Sequence, residues 1–88
     1  MIDRFKHARD SVSDPARSAI PVDPNDGIEF AEIPKALFVG TGGDVHLRCV
    51  ADAAPVLFRN VPDGSILPIR AAELLATGTT AGDIVALS

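Results

Sequence analysis

The chain has 88 residues and one cysteine, Cys49, so it forms at most one small domain and cannot hold an internal disulfide. Apolar residues make up 47% of the chain, which is enough for a packed core. The net charge is −4 and there is no Trp or Tyr. This composition argues against a nucleic-acid partner, because phosphate contact needs an excess of Lys and Arg and single strands need aromatic stacking platforms.

Export and membrane signals are missing from the sequence. The first ten residues, MIDRFKHARD, contain no apolar core of a signal peptide. No stretch approaches the roughly 20 apolar residues that span a bilayer. We therefore expect a protein synthesised in the cytoplasm, with no membrane insertion.

Residues 1–35 have the character of an extended N-terminal arm. They hold four of the seven prolines and one of the seven glycines, and each proline favours an extended residue before it. A short helix over residues 2–9 is possible, although so short a helix is marginal alone. Apolar residues recur along the arm in a spacing that suits a strand-like segment lying across another surface, and simple disorder is the alternative. These residues are Ile20, Val22, Ile28, Phe30 and Ile33.

Residues 36–88 read as a compact β module in which glycine and proline turns separate short apolar runs. The run 36–39 is apolar throughout, which is typical of a strand buried on both faces. For residues 71–76, one helical turn is the alternative to a strand, and the Thr-Gly run that follows favours the strand. The other predicted strands are 45–50, 56–61, 65–70 and 84–87. The predicted fold is all-β: a small antiparallel β barrel or sandwich of about six short strands.

Two features predict that this module assembles with other subunits. Single cores below about 70–80 residues usually need disulfides, a metal or neighbouring subunits for stability. The runs 36–39 and 66–69 also carry apolar residues on both faces of their strands. One of those faces must then contact something beyond the chain's own core.

No pattern in the sequence predicts catalysis, a metal site or a cofactor. The glycine-rich stretch 40–43 is followed by Asp44, where a phosphate-binding loop needs lysine. His46 and Cys49 are three apart in a predicted strand and so point to opposite faces. We expect Cys49 to be a buried, unreactive core residue and the turn carboxylates to cap backbone. The chain is therefore predicted not to be an enzyme.

Three blocks of the module resemble the head spike base proteins of gene transfer agents and related tailed phages. The blocks are ALFVGTGGDV at 36–45, FRNVPDGSILPI at 58–69 and LATGTTAGDIVAL at 75–87. The last is the most specific, since a Thr/Gly run closing into Asp-Ile-Val-Ala-Leu is improbable by chance. The arm is similar as well, apart from residues 28–32, which are more apolar than the expected linker. This leaves open whether residues 28–33 form a strand or a loop.

The resemblance implies a structural virion protein at the capsid vertices of a phage-like particle. It would form the base of a head spike and connect the capsid to a host-adsorbing fibre. The implied partners are the major capsid protein and the head spike fibre protein, with host surface polysaccharide met indirectly through the fibre. The alternative is a small carbohydrate-binding module acting directly on that polysaccharide. Four phenylalanines without Tyr or Trp make a poor sugar platform.

The arm and the module together predict how the subunits assemble. We expect Phe5, Ile20, Val22 and Phe30 to contact another subunit or the capsid, because the arm lacks sequence-local partners for a core of its own. The arm would then be ordered only by contact with other chains, and deleting residues 1–20 would release a folded module from the particle. A closed homo-oligomeric ring is expected, with five subunits favoured by the symmetry of a capsid vertex and a fibre-matched trimer as the competitor.

Overall fold

The computed structural model describes residues 15–88, and this part of the chain contains seven β-strands and no helix. No segment among residues 15–88 forms a helix long and apolar enough to cross a membrane. The predictions for Phe5 and for a helix over residues 2–9 lie outside the described residues. The strands are β1 (Ala19–Val22), β2 (Ala36–Thr41), β3 (Gly43–Cys49), β4 (Val56–Val61), β5 (Ser65–Leu67), β6 (Ala71–Leu74) and β7 (Gly82–Leu87).

The strands form two antiparallel sheets, which confirms the predicted all-β fold. The four-stranded sheet has the order β1-β7-β2-β5 and the three-stranded sheet has the order β4-β3-β6. Every predicted module strand is present, including β6 where a helical turn was the alternative. Strand β5 ends at Leu67 because Pro68, the next residue, has no N–H for the ladder.

The core lies between the two sheets and is built from their alternating residues. Leu37 and Val39 of β2 and Val45 and Leu47 of β3 are fully buried, and Ile84 of β7 packs with them. The expectation that residues 36–39 are buried on both faces is wrong for the second face, whose residues are half-buried. The reason is that one sheet covers one face of β2, and the other face has no second layer within residues 15–88.

The prediction that the arm is ordered only by other chains is wrong for the part that the structure describes. Strand β1 pairs with β7 over four residues, from Ala19 opposite Leu87 to Val22 opposite Ile84. Ile33 is 1% exposed, among the most buried side chains of residues 15–88. Deleting residues 1–20 would therefore cut into a sheet strand. An anchoring role for residues 1–35 stays a prediction.

Candidate interaction surface

A shallow groove lies between β1 and the segment that follows it, and we call it the β1 groove. Its volume is about 270 Å³. Three of the four residues predicted to make contacts, Ile20, Val22 and Phe30, line it together, and Leu74 of β6 contributes as well. The remaining lining residues are Pro21, Asp23, Asn25, Ile28 and Glu29. The structure thus brings the three predicted contact residues, which are up to ten positions apart in the chain, together with Leu74 on one surface.

Backbone hydrogen bonds hold the far wall of the groove against the edge of β6. The Asn25 N–H donates to the Leu74 carbonyl at 2.9 Å, and the Phe30 N–H donates to the Ala72 carbonyl at 2.8 Å. Between them, Glu29 forms an isolated bridge with Glu73. Residues 28–33 are thus an irregular segment with isolated bridges at Glu29 and Glu32 and not a full strand. The β1 groove therefore joins β1 of one sheet to β6 of the other.

The turn at the end of the groove is fixed to the β6–β7 connection through Asp26. Its carboxylate accepts hydrogen bonds from both the hydroxyl and the backbone N–H of Thr77. The Thr77 hydroxyl is the main reason that the pKa of Asp26 lies below its ordinary value. His46 fixes the same connection, since its Nδ1 lies 2.6 Å from the Thr77 carbonyl and donates to it. The groove wall is thus anchored at both ends.

The apolar side chains of the groove are open to solvent at its rim and buried at its base. Ile20 is 55% exposed and Ile28 is 60% exposed. Val22 and Phe30 are half-buried and pack against the core. Exposed apolar residues that converge on one concave surface are typical of contact sites for another protein.

The charge around the groove is acidic. Among residues 15–88 there are nine Asp and Glu against five Lys and Arg. Glu29 is paired with Arg48 at 2.5 Å, and Arg48 also reaches Glu73 at 3.3 Å. The hydrogen bond to Glu73, followed by the one to Glu29, raises the pKa of the Arg48 guanidinium above its ordinary value. Asp23 is exposed on the rim and has no side-chain hydrogen bond or ion pair with any residue of 15–88, so its negative charge is available to a partner.

A second apolar surface lies on β4, which is the edge strand opposite β6 in the three-stranded sheet. No strand pairs with the outer side of β4 in the described part of the chain. Val56 and Leu57 on this edge are 49% and 36% exposed. Sequence reasoning missed this surface, although the run Val56-Leu57-Phe58 interrupts the polar alternation that a strand with one wet face would show.

The residues considered for chemistry are committed to structural roles. Cys49 is half-buried, not fully buried as predicted, because it lies at the irregular end of the β3–β6 ladder. Burial raises the pKa of its thiol. Asp44 accepts a hydrogen bond from the Asn60 N–H at 3.1 Å, and Asp83 accepts one from the Thr41 hydroxyl at 2.8 Å. Within residues 15–88, no three His, Cys, Asp or Glu side chains are grouped to hold a metal ion.

The comparisons with known proteins bear on the whole chain. A chain in the capsid of a native GTA (gene transfer agent) particle, computed with C5 symmetry, is 39% identical to it. The alignment covers 100% of both chains, with a TM-score of 0.81. This chain belongs to a family of GTA particle proteins. The GTA resemblance given by the motifs is thereby confirmed at the level of the particle. No protein-family model and no curated protein matches the chain.

Proposed function

We propose that this GTA-family protein is a structural virion protein that forms the base of a head spike at the capsid vertices. There it would connect the capsid to a host-adsorbing fibre. The observation that carries the proposal is the full-length relationship to a chain of a GTA capsid. The motif at residues 75–87, which resembles head spike base proteins most specifically, supports the finer role and contains β7, the strand to which both β1 and β2 pair.

The two exposed apolar surfaces support assembly into a ring. A heterologous contact joins two different surfaces of identical subunits, and repeating it with a suitable rotation closes a ring. The β1 groove and the β4 edge are two such surfaces, the first between the two sheets and the second at an edge of the three-stranded sheet. Five subunits are the favoured number, since a capsid vertex has five-fold symmetry. A trimer that matches the fibre is the competing arrangement.

We further propose that the protein acts by binding and not by catalysis. The carboxylates at the turns of the module accept backbone or hydroxyl hydrogen bonds, which leaves them without a shared pocket. In the β1 groove, Glu29 is engaged by Arg48. The partners of the protein would be the major capsid protein below it and the fibre protein above it. Host polysaccharide would be met through the fibre.

Direct sugar binding is less well supported by the structure. A sugar platform presents the open face of an aromatic ring, and Phe30, Phe38 and Phe58 are each half-buried, the first and third packed against the core. They are the aromatic residues of the described part of the chain. The apolar rim residues of the groove are aliphatic, and aliphatic side chains favour a protein partner.

Removing the protein from the particle tests the proposed role. Particles assembled without it should keep intact capsids and lose the spikes at their vertices in electron micrographs, and supplying the gene in trans should restore them. Particles that keep their spikes would overturn the proposal. Loss of intact capsids, with no effect confined to the spikes, would assign the protein to the shell.

A further inference from the structure

We propose that the β1 groove binds the N-terminal segment, residues 1–14, of a neighbouring copy of this chain. The inference deepens the proposed function and rests on it, because it names the contact by which subunits of the ring would interlock.

The first nine residues of the segment and the groove are complementary in charge and in apolar character, whereas residues 10–14 add the two acidic side chains Asp10 and Asp14. Residues 1–9 carry three basic side chains and one acidic one, with Ile2 and Phe5 among them. The groove offers exposed aliphatic carbons at Ile20 and Ile28 and the carboxylate of Asp23, which pairs with no side chain of residues 15–88. Apolar anchors would supply the affinity, and the opposite charges would favour the right partner and register.

The position of residue 15 favours a neighbour's groove over the subunit's own. Residues 15–18 are held beside the end of β7, where the Ser18 N–H donates to the Ser88 carbonyl at 2.8 Å and Lys35 Nζ donates to the Pro15 carbonyl at 3.2 Å. To enter its own groove, the chain would have to reverse direction next to this fixed point and run back along β1.

The segment is long enough to reach another subunit. Fourteen extended residues span up to roughly 50 Å, and the longest dimension of the molecule is 35 Å. An exchanged arm of this length gains from the high local concentration that the ring provides, so a shallow groove is sufficient for stable binding.

Site-directed crosslinking in the full-length protein tests the exchange. Cys49→Ala removes the native thiol from every variant. One subunit then carries Phe5→Cys and a co-expressed, size-tagged subunit carries Ile28→Cys, and a short bismaleimide joins thiols that lie close together. The matched control replaces Ile28→Cys by Ile66→Cys, because Ile66 is 59% exposed, nearly the same as Ile28, and lies on β5 at the other edge of the four-stranded sheet.

We expect the Phe5–Ile28 pair to give about tenfold more adduct between the two subunits than the Phe5–Ile66 pair, because docking raises the local thiol concentration. Equal yields for the two pairs would overturn the exchange. A second control is a chain that carries both Phe5→Cys and Ile28→Cys, diluted with an excess of cysteine-free subunit. If this chain forms crosslinks only within itself, the segment docks in its own subunit and the exchange is overturned.

Two further measurements separate this inference from the proposed ring. Light scattering of the wild-type protein reports the ring itself, and a strictly monomeric protein would overturn both. A ring without the Phe5–Ile28 adduct would overturn the exchange alone. Asp23→Lys should weaken self-association about three- to tenfold at low salt, and less at high salt, because it reverses a charge facing the basic side chains of residues 1–9. An unchanged association constant would contradict the charge complementarity.

Discussion

Replacing Ile33 by alanine tests whether the stretch before residue 36 belongs to the folded domain. Ile33 lies in what the sequence suggested was an arm, yet it is fully buried. Were this stretch a detachable arm, Ile33→Ala would leave the stability of the module unchanged. We expect the opposite, a large loss of stability, because the side chain fills space that the domain cannot readily close.

The size of the loss follows from the burial. The substitution removes three carbon atoms from a site that is 1% exposed. At about 0.8 kcal/mol for each buried methylene, the transfer term alone is roughly 2.4 kcal/mol. The cavity left behind brings the expected loss to about 2–5 kcal/mol, a large part of the stability of a small domain. Ile33→Val, a smaller truncation, should cost about 0.5–1.5 kcal/mol.

Urea unfolding followed by circular dichroism measures these losses as shifts of the midpoint. Ile66→Ala is the matched control, since the same side chain is 59% exposed on β5 and should change the free energy of unfolding by less than about 0.5 kcal/mol. Should Ile33→Ala fail to fold, Ile33→Val still reports the burial. Ile33 variants that behave like Ile66→Ala would refute the view that residues 19–35 are part of the domain.

Three further predictions concern single positions. Gly42→Ala should destabilise the fold by about 1–3 kcal/mol in the same urea assay, since a Cβ there would collide with the Val61 carbonyl. Gly82→Ala should be near neutral, because its Cβ would make only an ordinary contact, 3.8 Å from the Thr41 Cβ. Equal effects of the two substitutions would contradict this. Wild type should have a larger free energy of unfolding than Asp26→Asn, and this difference should be complete above the ordinary Asp pKa of 3.8 and shrink as pH falls through the lower pKa of Asp26 in the folded state. A difference that does not change with pH would refute this prediction. Cys49 should react with a thiol reagent slower than free cysteine at pH 7, as burial raises its pKa; equal rates would be inconsistent with this.

The strands of the module were predictable because local chemistry defines them. Glycine and proline turns separate the apolar runs, and the Thr-Gly run after β6 excluded a longer helix. Ile20, Val22 and Phe30 were singled out through their apolar spacing, although their convergence on one groove was not predicted. That convergence depends on hydrogen bonds to β6, more than 40 residues away in the chain.

The apolar spacing predicted a strand-like segment at β1, but the pairing of β1 with β7 was not predictable from local pattern. Its proline, Pro21, is typical of an arm, and the pairing of Pro21 opposite Val85 joins residues 64 positions apart. The structure accommodates the proline because β1 is an edge strand, where one side of the backbone needs no ladder hydrogen bond. The β4 edge was missed for a related reason, since no local signal tells whether a strand will have a neighbour on its outer side.

The central claim, that this protein forms a ring at the base of a head spike, is tested most directly by a reconstruction of a single capsid vertex without imposed symmetry. The account predicts five copies of the two-sheet domain around the vertex axis, beneath the fibre. Three copies would contradict the five-fold ring. A single copy, or density for this fold away from the vertices, would contradict the account as a whole.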